Sequence, residues 1–319
     1  MRASKAGPGQ IAGSKLNLLL TGGTGFVGQE ILGQLRRAGH SIRLLARNPA
    51  SPRARQAASQ DRVEVHPGDV TDAASLTGAC EGVAAVIHLV GIISQSGRST
   101  FENIHTQGTR NLIAAAQGAG ARRFLLMSAL GTRPDAVSRY HQTKWAAEQS
   151  ARASGLDYTI FRPSLIYGPR DHFVNLFATL TRFLPIVPLL GRADARFQPV
   201  AVEAVASAFV RALVTPAAIG KSYDLCGPDA LTLGEILDSI LEVTRRKRFK
   251  LRLPAGLAWA QAALLEQLYP RLLRRAPPLN RDQLIMLGED NLGDPAAANA
   301  LFGLRHASFR EGIAQYLRR

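Results

Sequence analysis

A glycine-rich stretch near the start of the chain, TGGTGFVGQ, restricts the fold more than any other feature of the sequence. It follows the apolar run LNLLL and precedes a segment whose apolar residues recur at helical spacing. Glycine permits a tight turn and a close approach of the backbone to a ligand, and the start of a helix offers free N–H groups and a positive dipole end. The pattern therefore predicts a dinucleotide pyrophosphate site, with a ligand-free turn as the alternative. The candidate contacts are Gly22, Thr24, Gly25, Phe26, Val27 and Gly28.

The first half of the chain alternates buried-strand patterns with helical ones. The strand-like runs are 16–20, 41–47, 63–69, 84–91, 123–129 and 157–163. Strands that alternate with helices at this spacing predict parallel βαβ units, and hence an α/β fold with a Rossmann-like, doubly wound parallel sheet. Helices are expected over 101–118 and around Tyr140.

The regular alternation of strand and helix patterns ends after residue 163, where segments rich in loops and prolines begin. We expect an NAD(P)-binding Rossmann domain over 16–165, with 195–220 interleaved, and a smaller C-terminal substrate lobe over 166–319. Residues 1–15 are basic and rich in Gly, Ala and Ser, which is typical of a disordered tail.

Composition excludes several classes of function. The two cysteines, Cys80 and Cys226, lie far apart and the seven histidines are scattered, so we expect no disulfide framework and no metal. No run of about 18 apolar residues is present, which argues against a transmembrane helix. The net charge of +15 suits an acidic cofactor, an anionic lipid or an acidic partner protein, or reflects an arginine-rich proteome. No nucleic-acid motif accompanies it, so no nucleic acid is expected, and the cysteine usage indicates a cytoplasmic protein.

The end of the second predicted strand bears on the choice between NAD and NADP. An NAD site usually carries an acidic residue there for the ribose hydroxyls, whereas this strand ends LLARNP. Arg47 offers a charged fork that suits a 2′-phosphate. The sequence therefore favours NADP, with NAD as the second choice and a solvated strand-end charge as the alternative interpretation of Arg47.

Six motifs occur in a characteristic order: TGGTGFVG, GDVTD, VIHLVG, GTRNLIAAA, SRYHQTK and FRPSLIYGP. Together they resemble the extended or atypical branch of the short-chain dehydrogenase/reductase superfamily, which is NAD-dependent epimerase/dehydratase-like, over residues 16–240. The resemblance implies that Asp69 and Val70 contact the adenine. The other cofactor contacts that it implies are Leu89, Val90 and Gly91 on the adenine-ribose side and Pro163 beside the nicotinamide.

Tyr140 and Lys144 stand four apart in SRYHQTK, which places them on one face of the predicted helix, with Ser138 as its expected N-cap. In the superfamily that the motifs resemble, the tyrosine exchanges a proton with a carbonyl or alcohol. The lysine lowers the pKa of the tyrosine and binds the nicotinamide ribose. A phenol that titrates near 10 needs such a cation to act near neutral pH. A hydroxyl at the end of the fifth strand holds the substrate oxygen, and Ser128 is the candidate.

Two departures from the superfamily pattern leave catalysis open. The second hydroxyl position after the fifth strand is Ala129, and His105 stands where the extended branch usually has asparagine. The sequence is therefore consistent with a live Tyr140–Lys144 catalyst, and equally with a pair that holds the cofactor without turnover.

A narrower resemblance rests on HLVGII, FENIHTQGTRN, RFLLMSALG and RFQPVAVEAVA. These segments resemble the nucleotide-binding accessory subunit of respiratory complex I and its bacterial relatives. A protein of fungal coenzyme Q biosynthesis is a neighbour in the same superfamily. The resemblance implies a lipid or quinone setting, and hence an apolar small-molecule substrate and respiratory or quinone-pathway partner proteins.

Residues 241–275 carry nine Lys and Arg against two acidic residues. Within 244–275 a basic run precedes an apolar helix with Trp259, which suits an anionic membrane surface or a docking site for those partners. A peripheral location on the inner face of the membrane would follow. The alternative is a half-buried edge strand, RFKLRL, with Lys and Arg outward, followed by a helix that packs on the lobe.

Three functions fit these patterns. The first is an NADPH-dependent oxidoreductase that acts on an apolar carbonyl or alcohol, such as a quinone or isoprenoid-related intermediate. The second is a non-catalytic subunit that holds NADPH in a respiratory or quinone-synthesis complex. A nucleotide-sugar epimerase or dehydratase fits less well, because an acid after the second strand is absent.

Overall fold

The structure is a computed structural model that describes residues 15–273 and 277–318. The disordered tail expected over 1–15 therefore lies outside the described residues, apart from Lys15. Within the described ranges, no helix combines the length and the apolar character needed to cross a lipid bilayer.

A parallel sheet of seven strands forms the centre of the molecule. Its strands are β1 (Asn17–Thr21), β2 (Ser41–Ala46), β3 (Val63–Pro67), β4 (Ala85–His88), β5 (Arg123–Met127), β6 (Asp157–Pro163) and β11 (Lys221–Leu225). They lie in the order β11-β6-β5-β4-β1-β2-β3, and every neighbouring pair is parallel. This confirms the Rossmann-like α/β fold that the sequence predicts.

Helices cover the sheet and build the C-terminal lobe. Their bounds are α1 (Phe26–Arg37), α2 (Pro52–Ala58), α3 (Gly108–Gly118), α4 (Arg139–Arg152), α5 (Val174–Phe183), α6 (Val202–Ala212), α7 (Leu233–Thr244), α8 (Ala255–Leu273), α9 (Arg281–Leu287), α10 (Ala296–Phe302) and α11 (Phe309–Leu317). Short strands form three further pairs, which are β7 (Ile166–Tyr167) with β10 (Val200–Ala201), β9 (Arg196–Phe197) with β12 (Leu231–Thr232), and β8 (Ile186–Leu189) with β13 (Phe249–Arg252).

Most predicted strands match the structure to within two residues at each end, and two elements differ more. Strand β4 stops at His88, three residues earlier than predicted. Beyond it the amide of Ile92 bonds to the side chain of His105 rather than to a neighbouring strand. The helix predicted over 101–118 begins as a π-helical segment over 102–107 and continues as α3. Such π-turns inside helices occur frequently at functional sites.

The core of the sheet depends on segments that follow β6 in the chain. Helix α6 packs against α1, and β11 pairs with β6. The rings of Phe161, Phe209, Tyr223 and Phe302 join β6, α6, β11 and α10, with centroids 4.5 to 6.1 Å apart. Beyond the interleaved segment 195–220 expected from the sequence, residues further along the chain therefore also contribute to this core.

The C-terminal lobe has its own core around α5, α7 and α11. The β8–β13 pair buries one face of β8 in that core, whereas all four residues of β13 are exposed. The expectation that Lys and Arg of RFKLRL face outward from a half-buried strand is corrected here. Phe249 and Leu251 face solvent, while Lys250 turns to the Asp238 carboxylate of α7 at 2.7 Å.

Phe209→Ala should destabilise the protein strongly, because the Phe209 ring is fully buried and lies 4.5 Å from that of Phe161. Loss of a buried phenyl leaves a cavity and should lower the free energy of unfolding by about 3–5 kcal/mol, measured by urea unfolding. Phe183→Ala removes the same ring from a position that is 72% exposed. As the matched control it should change that free energy by less than about 0.5 kcal/mol. Equal effects in the two variants would contradict the assignment of Phe209 to the core.

Candidate dinucleotide and catalytic site

The candidate site lies along the carboxyl edge of the parallel sheet. The strand order reverses at β1, with β2 and β3 on one side and β4, β5 and β6 on the other. Loops that leave two strands at such a point diverge and open the crevice in which α/β proteins bind nucleotides. Apart from Lys144, which lies in α4, the predicted cofactor contacts follow or end strands of this sheet, or lie in the loop and first turn of α1. The fold therefore brings them to one edge.

The glycine loop between β1 and α1 has the geometry of a phosphate cradle. Gly22 has a φ of +75°, and a Cβ at Gly28 would overlap the Gly22 carbonyl. Gly25 caps α1 without a side-chain hydrogen bond. The amides of Phe26 and Val27 have no backbone acceptor within the described residues, and they lie at the positive end of the helix dipole. These groups fit a dinucleotide, whose pyrophosphate would supply the missing acceptors.

Two arginines follow β2 in the chain, and one of them contacts the glycine loop. Arg47 directly follows β2 and is exposed. Arg53 in α2 lies with its Nη1 3.4 Å from the Thr24 carbonyl oxygen. The hydroxyl of Ser51 caps α2 by accepting from the Ala54 amide, which fixes the helix that carries Arg53. Sequence reasoning missed Arg53, because no local pattern marks its approach to a loop that lies 29 residues earlier.

Asp69 and Val70 form a rigid turn after β3. The Asp69 carboxylate accepts from the amide and the hydroxyl of Thr71, both at 2.9 Å. Val70 is buried, and its carbonyl accepts from Asn111 Nδ2 at 2.9 Å. A Cβ at Gly108 would lie 2.9 Å from Val70, so the start of α3 packs closely behind the turn. The turn is therefore held in place where the family resemblance expects the adenine.

Leu89, Val90 and Gly91 lie between the glycine loop and Lys144 of α4. A Cβ on Gly22 would lie 3.2 Å from backbone atoms of Leu89 and Val90. A Cβ on Gly91 would lie 3.0 Å from the ammonium nitrogen of Lys144. Both approaches are tighter than usual, and they place this segment between the two halves of the candidate site.

Lys144 is a buried cation at the centre of the site. Its side chain is 3% exposed, and Nζ donates to the Met127 carbonyl at the end of β5 at 3.0 Å. Burial lowers the pKa of Lys144 to about 8, against the raising effect of the Glu148 carboxylate one turn along α4. Nζ lies 6.0 Å from the centroid of the Tyr140 ring. The structure thus assembles the predicted pair, and Ser138 caps α4 as the sequence predicts.

Tyr140 packs edge-on against the rings of His105 and His141, with centroids 5.3 Å away in each case. Burial, and then the charge of Asp282, raise the pKa of its phenol to about 12. The family resemblance implies the opposite shift, a pKa lowered towards neutral by Lys144. The structure differs because buried surroundings and a nearby carboxylate both disfavour the phenolate. Tyr140 therefore keeps its proton at neutral pH.

His105 is one of the two departures from the superfamily pattern. It joins the loop after β4 to helix α4. Its Nε2 accepts from the Ile92 amide at 3.0 Å, and its Nδ1 lies 2.9 Å from the Thr143 hydroxyl. Because Nε2 is an acceptor, the ring proton lies on Nδ1. Burial and the nearby charge of Lys144 lower the pKa of His105 to about 2. The neutral ring has both nitrogens engaged, so it positions its neighbours rather than relaying a proton.

Ser128 is buried after β5, and its hydroxyl lies 3.4 Å from that of Thr132. Thr132 is also buried and supplies a second hydroxyl beyond Ala129, which sequence reasoning did not single out. The carbonyl of Pro163, at the end of β6, accepts from the Leu130 amide at 2.9 Å. This bond holds the loop that carries both hydroxyls against β6, beside the Lys144 contact.

The remaining buried reactive groups do not extend the site. Burial raises the pKa of Cys80 to about 11 and that of Cys226 to about 12, so both thiols stay protonated. Burial lowers the pKa of His88 to about 3, and its ring bonds to the hydroxyls of Thr21 and Thr109. Over the described stretches of the chain, no three His, Cys, Asp or Glu side chains form a group that could hold a metal ion.

Residues 277–294, which we call the strap, reach from the C-terminal lobe to helix α4. The Asp282 carboxylate accepts from the amides of Arg139 and Tyr140, at 2.7 and 3.1 Å, and from the Ser138 hydroxyl at 3.1 Å. It therefore caps the first turn of α4, where the helix dipole favours an anion. Sequence reasoning missed this contact, because nothing local indicates a partner 143 residues earlier.

The strap is anchored at three loops of the sheet. The anchoring hydrogen bonds are those of Asn280 Nδ2 to the Ile93 carbonyl (3.0 Å), of Arg133 to both Glu289 oxygens (3.0 and 3.1 Å) and of the Ser164 hydroxyl to Asn291 Oδ1 (2.6 Å). These loops follow β4, β5 and β6 respectively. The strap therefore covers the half of the sheet edge that carries the Tyr140–Lys144 pair.

Comparison with known proteins agrees with this geometry. Residues 22–176 match a family described as NAD(P)H-binding. Ceramide reductase of Caulobacter vibrioides is 32% identical over 237 residues, which cover 74% of this chain and 73% of that protein. The chain belongs to the extended short-chain dehydrogenase/reductase-like family. This confirms the resemblance that the sequence motifs indicate.

Further members and neighbours of the family cover most of the chain. The mitochondrial NADH dehydrogenase [ubiquinone] 1 alpha subcomplex subunit 9 of Arabidopsis thaliana is 28% identical over 91% of this chain and 74% of that protein. Sterol demethylase protein B of Methylococcus capsulatus is 28% identical over 94% of this chain and 96% of that protein. The structure of a dTDP-glucose 4,6-dehydratase from Streptomyces venezuelae with NAD bound has a TM-score of 0.71 at 23% identity, over 95% and 96% of the two chains. At this identity the structural likeness shows a shared fold.

Asp282→Ala should destabilise the first turn of α4, because it removes the carboxylate that accepts hydrogen bonds from the amides of Arg139 and Tyr140. We expect the free energy of unfolding, measured with urea, to fall by about 1–3 kcal/mol. Asp61→Ala is the matched control, since the exposed Asp61 carboxylate pairs only with its neighbour Arg62, and it should have an effect below about 0.5 kcal/mol. Unchanged stability of the Asp282 variant would show that the strap does not support α4.

Proposed function

We propose that the protein is an NADP(H)-dependent reductase of apolar carbonyl compounds, in which Tyr140 supplies the proton. The observation that carries this proposal is the Tyr140–Lys144 pair beneath the loops that follow β4 and β5. Burial of an ammonium group costs free energy, and shifted pKa values of this kind cluster at functional sites. A helix turn with only a packing role would need no cation there.

The side chains of the pair have complementary parts in such a reaction. A reduced nicotinamide, when bound, supplies the hydride that reduces the carbonyl carbon. Tyr140 donates its phenolic proton to the carbonyl oxygen as negative charge develops there. Lys144, with a pKa of about 8, is mostly charged at neutral pH and stabilises the phenolate that remains. The same ammonium, beside Gly91, would hold the nicotinamide ribose through its hydroxyl groups.

The protonation state of Tyr140 favours reduction over oxidation. With a pKa of about 12, the phenol is protonated at neutral pH and is ready to act as an acid. Only a very small fraction is ionised and available as the base that alcohol oxidation requires. Ser128, with Thr132 behind it at 3.4 Å, is the proposed donor to the substrate oxygen, since so long a contact is easily exchanged for a shorter one.

NADP is the proposed cofactor. Support comes from Arg53, whose guanidinium lies 3.4 Å from the Thr24 carbonyl of the glycine loop, and from Arg47, which directly follows β2. In folds of this kind the adenosine ribose binds after the second strand. Two such cations suit a phosphate on the ribose 2′ position. The residues that follow β2 include no acid to bind the free ribose hydroxyls of NAD.

An apolar substrate is proposed from the rim of the site and from two relatives. Ile93 and Val137 are exposed apolar residues, and both lie beside the contacts that anchor the strap. Ceramide reductase and sterol demethylase protein B are named for a lipid and for sterols. We therefore propose a carbonyl on a lipid, quinone or isoprenoid-related molecule.

A second candidate function is a non-catalytic subunit that holds NADPH in a respiratory or quinone-synthesis complex. The similarity to subunit 9 of the NADH dehydrogenase alpha subcomplex, over 91% of this chain, favours it. Ala129 and a neutral His105 ring whose two nitrogens are both engaged point the same way. A nucleotide-sugar epimerase or dehydratase has less support, because the solved structure with such a name shares the fold alone.

Tyr140→Phe should reduce single-turnover reduction by at least about 100-fold, since it removes the proton donor and keeps the ring. Protein loaded with NADPH would be mixed with an extract of quinones and lipid carbonyl compounds, and nicotinamide absorbance would be followed. Tyr158→Phe is the matched control, because that hydroxyl bonds to the Gly220 carbonyl at the edge of the sheet. Stable NADPH in the wild type, despite tight binding, would reject the reductase and favour the accessory subunit.

Replacement of both Arg47 and Arg53 by alanine should weaken NADPH binding by about tenfold or more and leave NADH binding nearly unchanged. Hydrogen bonds to charged groups contribute about 1.5–3 kcal/mol, and only NADPH carries the 2′-phosphate. Fluorescence titration with each nucleotide measures the two affinities. Arg36→Ala is the control, since Arg36 bonds to the Asp61 carbonyl away from the loop. An equal loss for both nucleotides would reject a 2′-phosphate role for the arginines.

A further inference from the structure

The β8–β13 pair of the C-terminal lobe exposes an apolar face. Val187 is buried in the lobe, so the alternate residues of β8 point outward. Ile186 pairs in register with Phe249, and both lie on that outward face. Leu251 follows two residues later on the same face. Phe249 is 78% exposed, which is far beyond what an aromatic residue with a packing role would show.

The turn that leads into β8 extends this apolar surface. Residues 182–186 are all exposed, and they include Phe183 and Leu184. Phe183 ends α5 three residues before β8 begins, and the Phe249 amide bonds to the Pro185 carbonyl at 3.0 Å. The turn and β13 are therefore direct neighbours. We call the set Phe183, Leu184, Ile186, Phe249 and Leu251 the docking face.

Helix α8 adds an apolar stripe directly after β13. Leu257, Leu264 and Leu268 are exposed and are seven and four residues apart, which aligns them on one side of the helix. The buried Ala258 and Ala262 lie on a different side, against Leu284 of the strap. Single exposed apolar residues are ordinary on protein surfaces, but a cluster of this size marks an interaction site.

Cations without acidic partners lie next to the docking face. The Arg182 guanidinium lies 5.5 Å from the centroid of the Phe183 ring. Lys247 comes two residues before Phe249 in the chain. Neither Arg182 nor Lys247 forms an ion pair with any residue that the structure describes. The two acidic residues of 241–275 are engaged elsewhere, Glu242 with Arg310 and Glu266 with Arg281. The surface therefore carries uncompensated positive charge around exposed aromatic rings.

We propose that the docking face binds the surface of an anionic lipid bilayer, with Phe183 and Phe249 inserted at the boundary between headgroups and acyl chains. Exposed rings bordered by Lys and Arg suit this chemistry, since the rings gain from leaving water and the cations from lipid phosphates. A second copy of this chain is a poorer occupant, because its face would bring the same cations together. The proposal goes beyond the reductase function and does not depend on it.

Co-sedimentation with vesicles tests the proposal on the full chain. Binding should be strong to phosphatidylcholine vesicles that contain phosphatidylglycerol, weak to phosphatidylcholine alone, and reduced by added salt. The double variant Phe183→Ser/Phe249→Ser should bind at least about tenfold more weakly, since two ring insertions are lost. The matched control Val214→Ser/Ile219→Ser changes two exposed apolar residues elsewhere in the chain and should bind like the wild type.

Every outcome of this experiment decides for or against the bilayer. Circular dichroism and thermal unfolding should show that both double variants are folded, because all four substituted residues are exposed. Absence of vesicle binding by the wild type, or equal binding by the Phe183/Phe249 variant, would overturn the proposal. Light scattering tests the alternative of self-association. If the wild type fails to bind vesicles but forms concentration-dependent dimers, and the Phe183/Phe249 variant does not form them, the face is a self-association surface.

Discussion

Burial of the Lys144 ammonium is the interaction on which the candidate site depends. The charge is removed from water and held by one carbonyl at the end of β5, and its pKa falls to about 8. The surrounding residues accommodate it. A side chain at position 91 would lie within 3.0 Å of the ammonium nitrogen and would have to displace it, and His105 remains neutral partly because of that charge. A lysine with only a packing role would be unusual at such a cost, which is why the cation indicates a cofactor or substrate.

The strap explains how a helix from the Rossmann sheet and a segment from the C-terminal lobe form one site. Asp282 completes the N-terminus of α4 and disfavours ionisation of Tyr140. The same carboxylate thus caps α4 and adds to the effect of burial, which raises the pKa of Tyr140. Stability and protonation state are coupled in this arrangement, since α4 carries both Tyr140 and Lys144.

The C-terminal lobe presents different chemistry on its two sides. Towards the sheet it offers polar strap residues that pair with loop carbonyls and arginines. Around β13 it offers exposed aromatic rings and unpaired cations. An apolar substrate proposed for the site would partition into a bilayer, so a membrane-facing lobe and a lipid-directed reductase are compatible, although each rests on separate observations.

The sequence by itself determined the fold and the edge of the sheet where a dinucleotide fits, because glycine spacing and apolar periodicity are local signals that tertiary structure rarely overrides. It also identified Tyr140, Lys144 and the family, while the roles of Ser128, Arg47 and the pair in turnover remain predictions. Only the tertiary structure decided that Arg53 contacts the glycine loop, that Asp282 caps α4 and that Phe249 faces outward. These facts depend on contacts between residues far apart in the chain, or on which side of a strand meets a core, and no local pattern encodes either.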